Sequence, residues 1–433
     1  MSVLARPIWR TVYAFILFPL LLGAAGLLSL GSRKLRGSLR GRRGLWRRMG
    51  EQLAARDPAR PLVWFHVASA GEFLQALPVL ERLAAAGAQC ALTVTSISGY
   101  DWIQRRRTAL PGVVVADYLP LDSRRNMRRL LALLRPRVLV HVKFDLWPNL
   151  IWEAQRAGVP QVLISATLQP RSRRLRWPLA RSLYRDLYGA LDAILAVTEE
   201  DRLRFLETGP THPNVRVVGD TRYDSVLDRK RALKPAALPP GMRTDTVLVV
   251  GSCWPPDEER LFPVIREALQ ALPALRVILA PHEIAEPHLR GVERYFAEVP
   301  MARLSGLDAT SPAPLRLVLV DSVGLLAGLY AYATLAYVGG GFTTGVHNVM
   351  EPAAMGAPAV FGPIHHNSPE AVELARRGKA FAFRTREELE PLLLGLLQDP
   401  ERCKRLGHDA SAFIEARAGA ARACFEIIQE RLP

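Results

Sequence analysis

"PLVWFHVASAGEFLQALPVLERLAAAG", Pro61 to Gly87, reads as one strand followed by one helix. Leu62 to Val67 is a short run of apolar residues broken only by His66, and it ends in the small residues Ala68 to Gly71. Beyond Glu72 the apolar residues return at helical spacing until Gly87 stops them. A strand apolar on both faces belongs in a parallel sheet covered by helices on both sides. The same unit recurs outward along the chain in "CALTVTS", "GVVVADYLP", "RVLVHVKF", "PQVLISAT" and "AILAVT", each separated from the next by a helix-length segment. After the proline-rich "RALKPAALPPGMRTD" a second alternation begins, with "TVLVVGS", "LRVILAPHE", "LRLVLVDS", "TLAYVGGG" and "APAVFGP". The expectation is an α/β chain of two doubly wound, Rossmann-like domains facing a cleft, with ligands at the carboxyl ends of the strands. Residues 1–48 are set apart as an anchor and basic segment, 49–215 as the first domain and 216–433 as the second. The last helix, about Asp409 to Arg431, is left open to cross back.

The length of 433 residues fits two domains, and the apolar content of 49% is that of a globular chain. Cys90, Cys253, Cys403 and Cys424 show no metal-ligand or redox-pair spacing, so they read as packing residues in a reducing compartment, with no metal site implied. The net charge of +16 is uneven: residues 1–60 hold twelve Lys/Arg against two acids, and 124–185 hold fourteen against two. No aromatic-interleaved basic stripe or reader motif accompanies that charge, which argues against nucleic acid and for an anionic membrane surface or a phosphorylated lipid. Val12 to Gly31 is twenty residues without a charge, long enough to cross a bilayer core, and eight basic residues follow it from Arg33 to Arg48. Positive flanks stay on the cytoplasmic side, so the domains are expected there. A cleaved signal peptide competes, but the strongest charge lies after the apolar segment. Pro19 and three glycines leave open a helix lying in the interface instead of spanning.

Several strand ends carry chemistry. "GGGFTTGVHN" is a glycine-rich strand-to-helix turn suited to close approach by a phosphate, with Asn348 and Glu351 just beyond it; alternatively the glycines only make a tight turn and Glu351 only favours a helix start. The dinucleotide fingerprint GxGxxG is absent. Glu72 is either a helix-start stabiliser or a general base. "KFDLWPNLI" places Lys143 and Asp145 at a strand end, "GDTRYDS" places Arg222 near the hinge, where it is either a salt-bridge partner or faces a phosphate, and "LAPHE" places His282 and Glu283 at another strand end.

Taken in order, "ASAGE", "YLPLD", "DLWPNLI", "GDTRYD", "GGGFTTGVHNVMEPAAMG" and "FGP" resemble the 3-deoxy-D-manno-octulosonic acid (Kdo) transferases of Gram-negative envelope synthesis, inverting glycosyltransferases of the GT-B fold. The resemblance implies transfer of Kdo from CMP-Kdo to a lipid A precursor (lipid IVA) in lipopolysaccharide core biosynthesis, without a cofactor or metal, at the inner membrane with the catalytic domains on its cytoplasmic face. It implies an acceptor-binding first domain and a CMP-sugar-binding second. By its motifs Glu72 is the proton acceptor, Arg222 stabilises the transition state, Asp145 matches a catalytic acidic position before "LWPN", and Pro281, His282, Val323, Gly324, Leu325, Gly340, Gly341, Asn348, Val349, Met350 and Glu351 hold CMP. The chain departs from the family pattern where Pro281 precedes His282 instead of an arginine, where Lys143 replaces an acid, and where Leu325 replaces a glutamate. Competing functions are a membrane-associated GT-B glycosyltransferase using a UDP-sugar, a sugar-nucleotide epimerase, or a non-catalytic lipid-binding homologue.

Overall fold

The computed structural model describes residues 5–170, 172–208, 214–233, 238, 242, 246–307 and 315–432. Most of the proline-rich stretch 231–245 lies outside the described residues. The chain forms two compact units, Met1–Ser225 with Ala418–Pro433, and Val226–Arg417. The division therefore falls inside the helix Thr221–Ala232, beyond the 215/216 boundary read from the sequence, and the last helix joins the first unit.

In the first unit, β1 (Leu62–Val67), β2 (Gln89–Val94), β3 (Val113–Tyr118), β4 (Val138–Val142), β5 (Gln161–Ala166), β6 (Ala193–Ala196) and β7 (Val215–Val217) form one parallel sheet in the order β3-β2-β1-β4-β5-β6-β7. Every residue of β1, β2, β4, β5 and β6 is buried, which is why these segments are apolar on both faces. The strand order reverses between β1 and β4, with Phe65 in register with Leu92 on one side and Val140 on the other. That reversal is the topological switch point, where the loops leaving two neighbouring strands part to opposite faces and leave a crevice.

The second unit repeats the plan. Here β8 (Val247–Cys253), β9 (Arg276–Pro281), β10 (Met301–Arg303), β11 (Leu317–Leu319), β12 (Leu335–Val338), β13 (Ala359–Phe361) and β14 (Ala380–Ala382) form a parallel sheet in the order β10-β11-β9-β8-β12-β13-β14, with its switch point between β8 and β12.

Two terminal segments complete the first unit. The helix Ala420–Gln429 presents Ala420, Ala421, Cys424, Ile427 and Ile428 along one buried stripe, and it packs on the helix Ala70–Ala85 as part of the core around Trp64, Phe65 and Phe73. Asp224 pins its start by accepting the N–H groups of Gly419 at 3.0 Å and Ala421 at 3.2 Å. At the other terminus, Ile8–Gly31 is a helical stretch of 24 residues with mean hydropathy 2.1, and none of its most apolar window is buried. A π-helical turn at Tyr13–Leu17 precedes Pro19, whose ring cannot continue a regular ladder. Its beginning is tied down by the Tyr13 hydroxyl, which donates to buried Asp122 at 3.0 Å, and by Trp9, which donates to Ser182 at 3.0 Å. Past its end, Arg42 donates to the Leu119 carbonyl at 2.8 Å and Arg48 forms a two-pronged ion pair with buried Asp117 at 2.7 and 2.8 Å.

Candidate active site

At the first switch point Ser69 caps the helix Ala70–Ala85, its hydroxyl accepting the Glu72 N–H at 3.4 Å. This is the Ser-x-x-Glu pattern of a helix start. The Glu72 side chain bends back to accept the Ala68 N–H and is 7% exposed, so it does serve the local cap. Burial raises its carboxyl above the ordinary value, opposed by the Ala68 N–H; Asp145 adds to the rise, while His66 and Lys143 pull it down.

Asp145, just past β4, ends a chain of hydrogen bonds. Trp64 Nε1 donates to Thr93 Oγ1 at 2.8 Å, Thr93 Oγ1 meets His66 Nδ1 at 2.9 Å, and His66 Nε2 meets Asp145 Oδ2 at 3.0 Å. Because an ionised carboxylate can only accept, His66 Nε2 carries a proton and donates it to Asp145. Burial works to raise the Asp145 carboxyl, but the hydrogen bond from His66 and the electrostatics of that ring outweigh it and leave the group below the ordinary range. The two carboxyls of this switch point are thus pushed in opposite directions, the usual mark of separate acid–base roles. Lys143 stands between them in sequence with φ +65°, a left-handed conformation seldom adopted by a side-chain-bearing residue. Arg222 sits at the start of the helix Thr221–Ala232, donating through Nε to Asp220 at 2.8 Å. The salt-bridge reading of Arg222 therefore has a named partner.

At the second switch point the glycines face protein. A Cβ on Gly339 would stand 2.2 Å from the Ser252 carbonyl oxygen, and one on Gly341 would stand 2.6 Å from Gly362 Cα. Gly340 has φ +92°, and its N–H is taken by Asp257 at 2.9 Å. Its carbonyl accepts Thr343 and Gly345 N–H groups, so the loop closes on itself. Fully buried Asp257 also accepts the Tyr337 hydroxyl at 2.8 Å and the Trp254 N–H at 2.9 Å, bracing the strand ends of β8 and β12 together.

Above this brace three rings stack. Trp254 lies 3.9 Å from His282, and His282 lies 4.9 Å from His347, with interplanar angles of 20° and 19°. Trp254 Nε1 donates to His347 Nε2 at 3.0 Å, so that nitrogen is an acceptor without a proton. Burial first, then the neighbouring His282, holds His347 below its ordinary value, opposed by Asp257. Pro281 ends β9 directly before the stacked His282. Asn348 accepts the Met350 N–H at 3.1 Å and so starts the helix Met350–Ala354, where Val349 is the cap. That helix is only five residues long, so its dipole is small. Glu351 in its first turn is held by Arg229 at 2.8 Å. Val323 and Leu325 flank Gly324 at φ +89°, and Val323 is 79% exposed.

The structure thus brings Glu72, His66 and Asp145 to one strand-end crevice, and His282, His347 and the glycine loop to another. The reading of the sequence missed Thr93, Trp254, Asp257 and Arg229. "WPPDEE" does carry the signature of a helix start, with prolines and acids in its first turn, and it could have marked Trp254 and Asp257. Among the described residues no group of three or more His, Cys, Asp or Glu is placed to hold a metal ion.

Residues 39–225 match the family model described as 3-deoxy-D-manno-octulosonic-acid transferase (kdotransferase). The 3-deoxy-D-manno-octulosonic acid transferase of Bordetella pertussis is 30% identical over 390 residues, covering 87% of this chain and 90% of that protein. The protein of the same name from Chlamydophila psittaci is 29% identical over 346 residues, 79% of this chain and 78% of that one. Among solved structures, UDP-GlcNAc 2-epimerase from Neisseria meningitidis bound to UDP-GlcNAc superposes with a TM-score of 0.60 at 17% identity, covering 86% of this chain and 99% of the other. MurG of Acinetobacter baumannii gives 0.52 at 15% identity, with the same coverage. These two likenesses concern the fold, which is GT-B. The extended identity to the transferases carries more: the chain belongs to the 3-deoxy-D-manno-octulosonic acid transferase family of glycosyltransferases.

Proposed function

We propose that the protein transfers Kdo from CMP-Kdo to a hydroxyl of a phosphorylated lipid A precursor, with inversion at the anomeric carbon. The observation that carries the mechanism is the pair of carboxyls at the first switch point, Glu72 raised by burial and Asp145 lowered by His66. Glu72 takes the proton of the acceptor hydroxyl, whose oxygen attacks the anomeric carbon as the bond to the CMP phosphate breaks and CMP departs with the electron pair. A single displacement of this kind inverts the centre and needs no protein nucleophile. Asp145, oriented by His66, holds the acceptor side, and Arg222 serves the developing charge of the leaving phosphate by turning from Asp220. On the donor side, Pro281, His282, the loop Val323–Leu325 and the segment Asn348–Glu351 take up CMP, with Glu351 on the ribose, while Gly340 and Gly341 let the loop fold tightly enough to place Asn348 and Glu351 there.

The exposed end of the apolar helix, Phe18–Gly31, enters the inner membrane and keeps both units on the cytoplasmic face, where the phosphorylated acceptor is presented. The test is a transfer assay with purified protein, CMP-Kdo generated in place and the lipid A precursor, read by mass spectrometry. A product heavier by one or more Kdo units is expected. No product with an active coupling enzyme removes the donor assignment and directs the next trial to UDP-sugars.

A further inference from the structure

The amino-terminal ends of β1, β4 and β5, at the edge of the first sheet opposite the switch point, border a cavity of about 1250 Å³. Its walls carry six arginines, Arg56, Arg60, Arg128, Arg135, Arg137 and Arg156, against one carboxylate, Glu153. That carboxylate is already engaged, accepting from Arg128 at 2.7 Å and from Arg124 at 3.1 Å. Arg60 donates to the Gly87 carbonyl at 2.6 Å. Arg56 donates through Nη1 to the Leu134 carbonyl, while its buried Nε has no partner. Arg135, Arg137 and Arg156 form no ion pair with any described carboxylate. Arg56, Arg135 and Arg137 line the same concavity, and burial, then the charges of Arg135 and Arg137, push the Arg56 guanidinium below its ordinary value. Arg135, Arg137 and Arg156 are exposed at the rim and present their guanidinium donors around the concavity to an anion from outside the chain.

The geometry also selects the kind of anion. Both flanks of the apolar helix are fastened beyond the carboxyl ends of strands, Tyr13 to Asp122 and Arg42 to the Leu119 carbonyl. A strand the length of β1 separates that edge from the cavity by roughly 20 Å. This is more than two Debye lengths at physiological salt, so the surface charge of a bilayer holding the helix acts weakly on the cavity. The field of the bilayer thus does little to fill the cavity, which favours a soluble ligand. Among the described residues no aromatic side chain lines the walls, which favours recognition of phosphate over stacking of a nucleobase.

We propose that this cavity binds a soluble oligophosphate, a small molecule with two or more phosphate groups, at a site separate from the switch point of the transfer reaction.

The probe is inorganic tripolyphosphate, titrated calorimetrically into the full chain in detergent at constant ionic strength, with sulfate and a hexaglutamate peptide as comparators. Saturable binding is expected, at least about tenfold tighter than either comparator and unchanged by saturating CMP. The double variant Arg135→Gly, Arg137→Gln should weaken it at least about tenfold, the loss of one or two charge-assisted contacts. Glycine suits position 135, where φ is +44°, so folding survives the change. Arg156→Gln, on a different element, provides a second reading and should also weaken binding. Sulfate binding as well as tripolyphosphate, or indifference to all three substitutions, overturns the proposal. Tighter binding of hexaglutamate assigns the cavity to an acidic protein segment and overturns the oligophosphate. Displacement by CMP overturns the separate site.

Discussion

Replacing Gly339 by Ala asks whether the bare backbone after β12 is bare for a ligand or for the protein itself. The new Cβ would meet the Ser252 carbonyl oxygen at 2.2 Å and Cys253 Cα at 2.6 Å, so the neighbour must retreat by about 1 Å or more to reach ordinary contact. The obstacles are backbone atoms of β8, the paired strand, and no rotamer change can move them aside. Overpacking of a well-filled core costs about 1–3 kcal/mol, and a forced strand shift lies at or above the top of that range. Two other glycines of the same unit calibrate the measurement. Gly356 has φ +83° with nothing near its missing Cβ, so Gly356→Ala should cost only the left-handed penalty of about 1–2 kcal/mol. Gly395 lies on the exposed face of the helix Arg386–Leu397, also with open space, and Gly395→Ala should stabilise by about 1 kcal/mol. Urea titrations of the full-length variants should therefore rank Gly395→Ala above the parent, Gly356→Ala below it and Gly339→Ala lowest by a clear margin, with midpoints moving at constant m. A Gly339→Ala protein as stable as Gly356→Ala but unable to bind CMP would refute the packing argument and return the glycine to the ligand.

Trp254→Phe keeps the ring stack but removes the donor to His347 Nε2, so His347 should titrate closer to the ordinary histidine value and the variant should lose about 1 kcal/mol; an unchanged imidazole titration by NMR would contradict the hydrogen bond. If Glu72 is the base, transfer should fail on acidification at a pH above the ordinary glutamate value of 4.5, because protonation removes the base form, and Glu72→Gln should abolish transfer with little effect on CMP affinity. The linkage has the opposite sense for stability. A raised carboxyl stabilises the fold most at low pH, and that contribution is lost as pH rises through the folded value, so Glu72→Gln should be slightly more stable than the parent at neutral pH; a less stable variant would show that the Ala68 cap outweighs burial. Glu351→Ala should weaken CMP binding beyond any change in stability, and equal affinity would leave Glu351 as no more than the partner of Arg229.

The central strands of both sheets are legible as apolar runs because burial on both faces leaves no room for polar alternation. The three strands that the reading did not separate, β7, β10 and β14, are three residues each and lie at sheet edges, too short and too half-exposed for any period to register. At the sites, residues announced by their position at a strand end could be picked out one by one, as with Glu72, Asp145 and His282. What joins them could not. His66 reaches Asp145 through a sheet pairing, and Trp254 reaches His347 across the switch point, contacts between segments far apart in sequence that no local pattern encodes. Arg229 illustrates the same limit, since its role as the Glu351 partner depends on a contact 122 positions away.

The stripe Ala421, Cys424, Ile427 and Ile428, lodged in the core of the first unit, ties the beginning of the chain to residues synthesised far later. During translation the first sheet emerges early but keeps an apolar gap over the helix Ala70–Ala85 until residue 428 has left the ribosome, while the second unit can close its own core beforehand. The nascent first unit therefore waits with exposed surface, a long-range closure that slows its folding and gives chaperones a window. A nonsense codon near residue 418 would damage the half of the protein made first and spare the half made second.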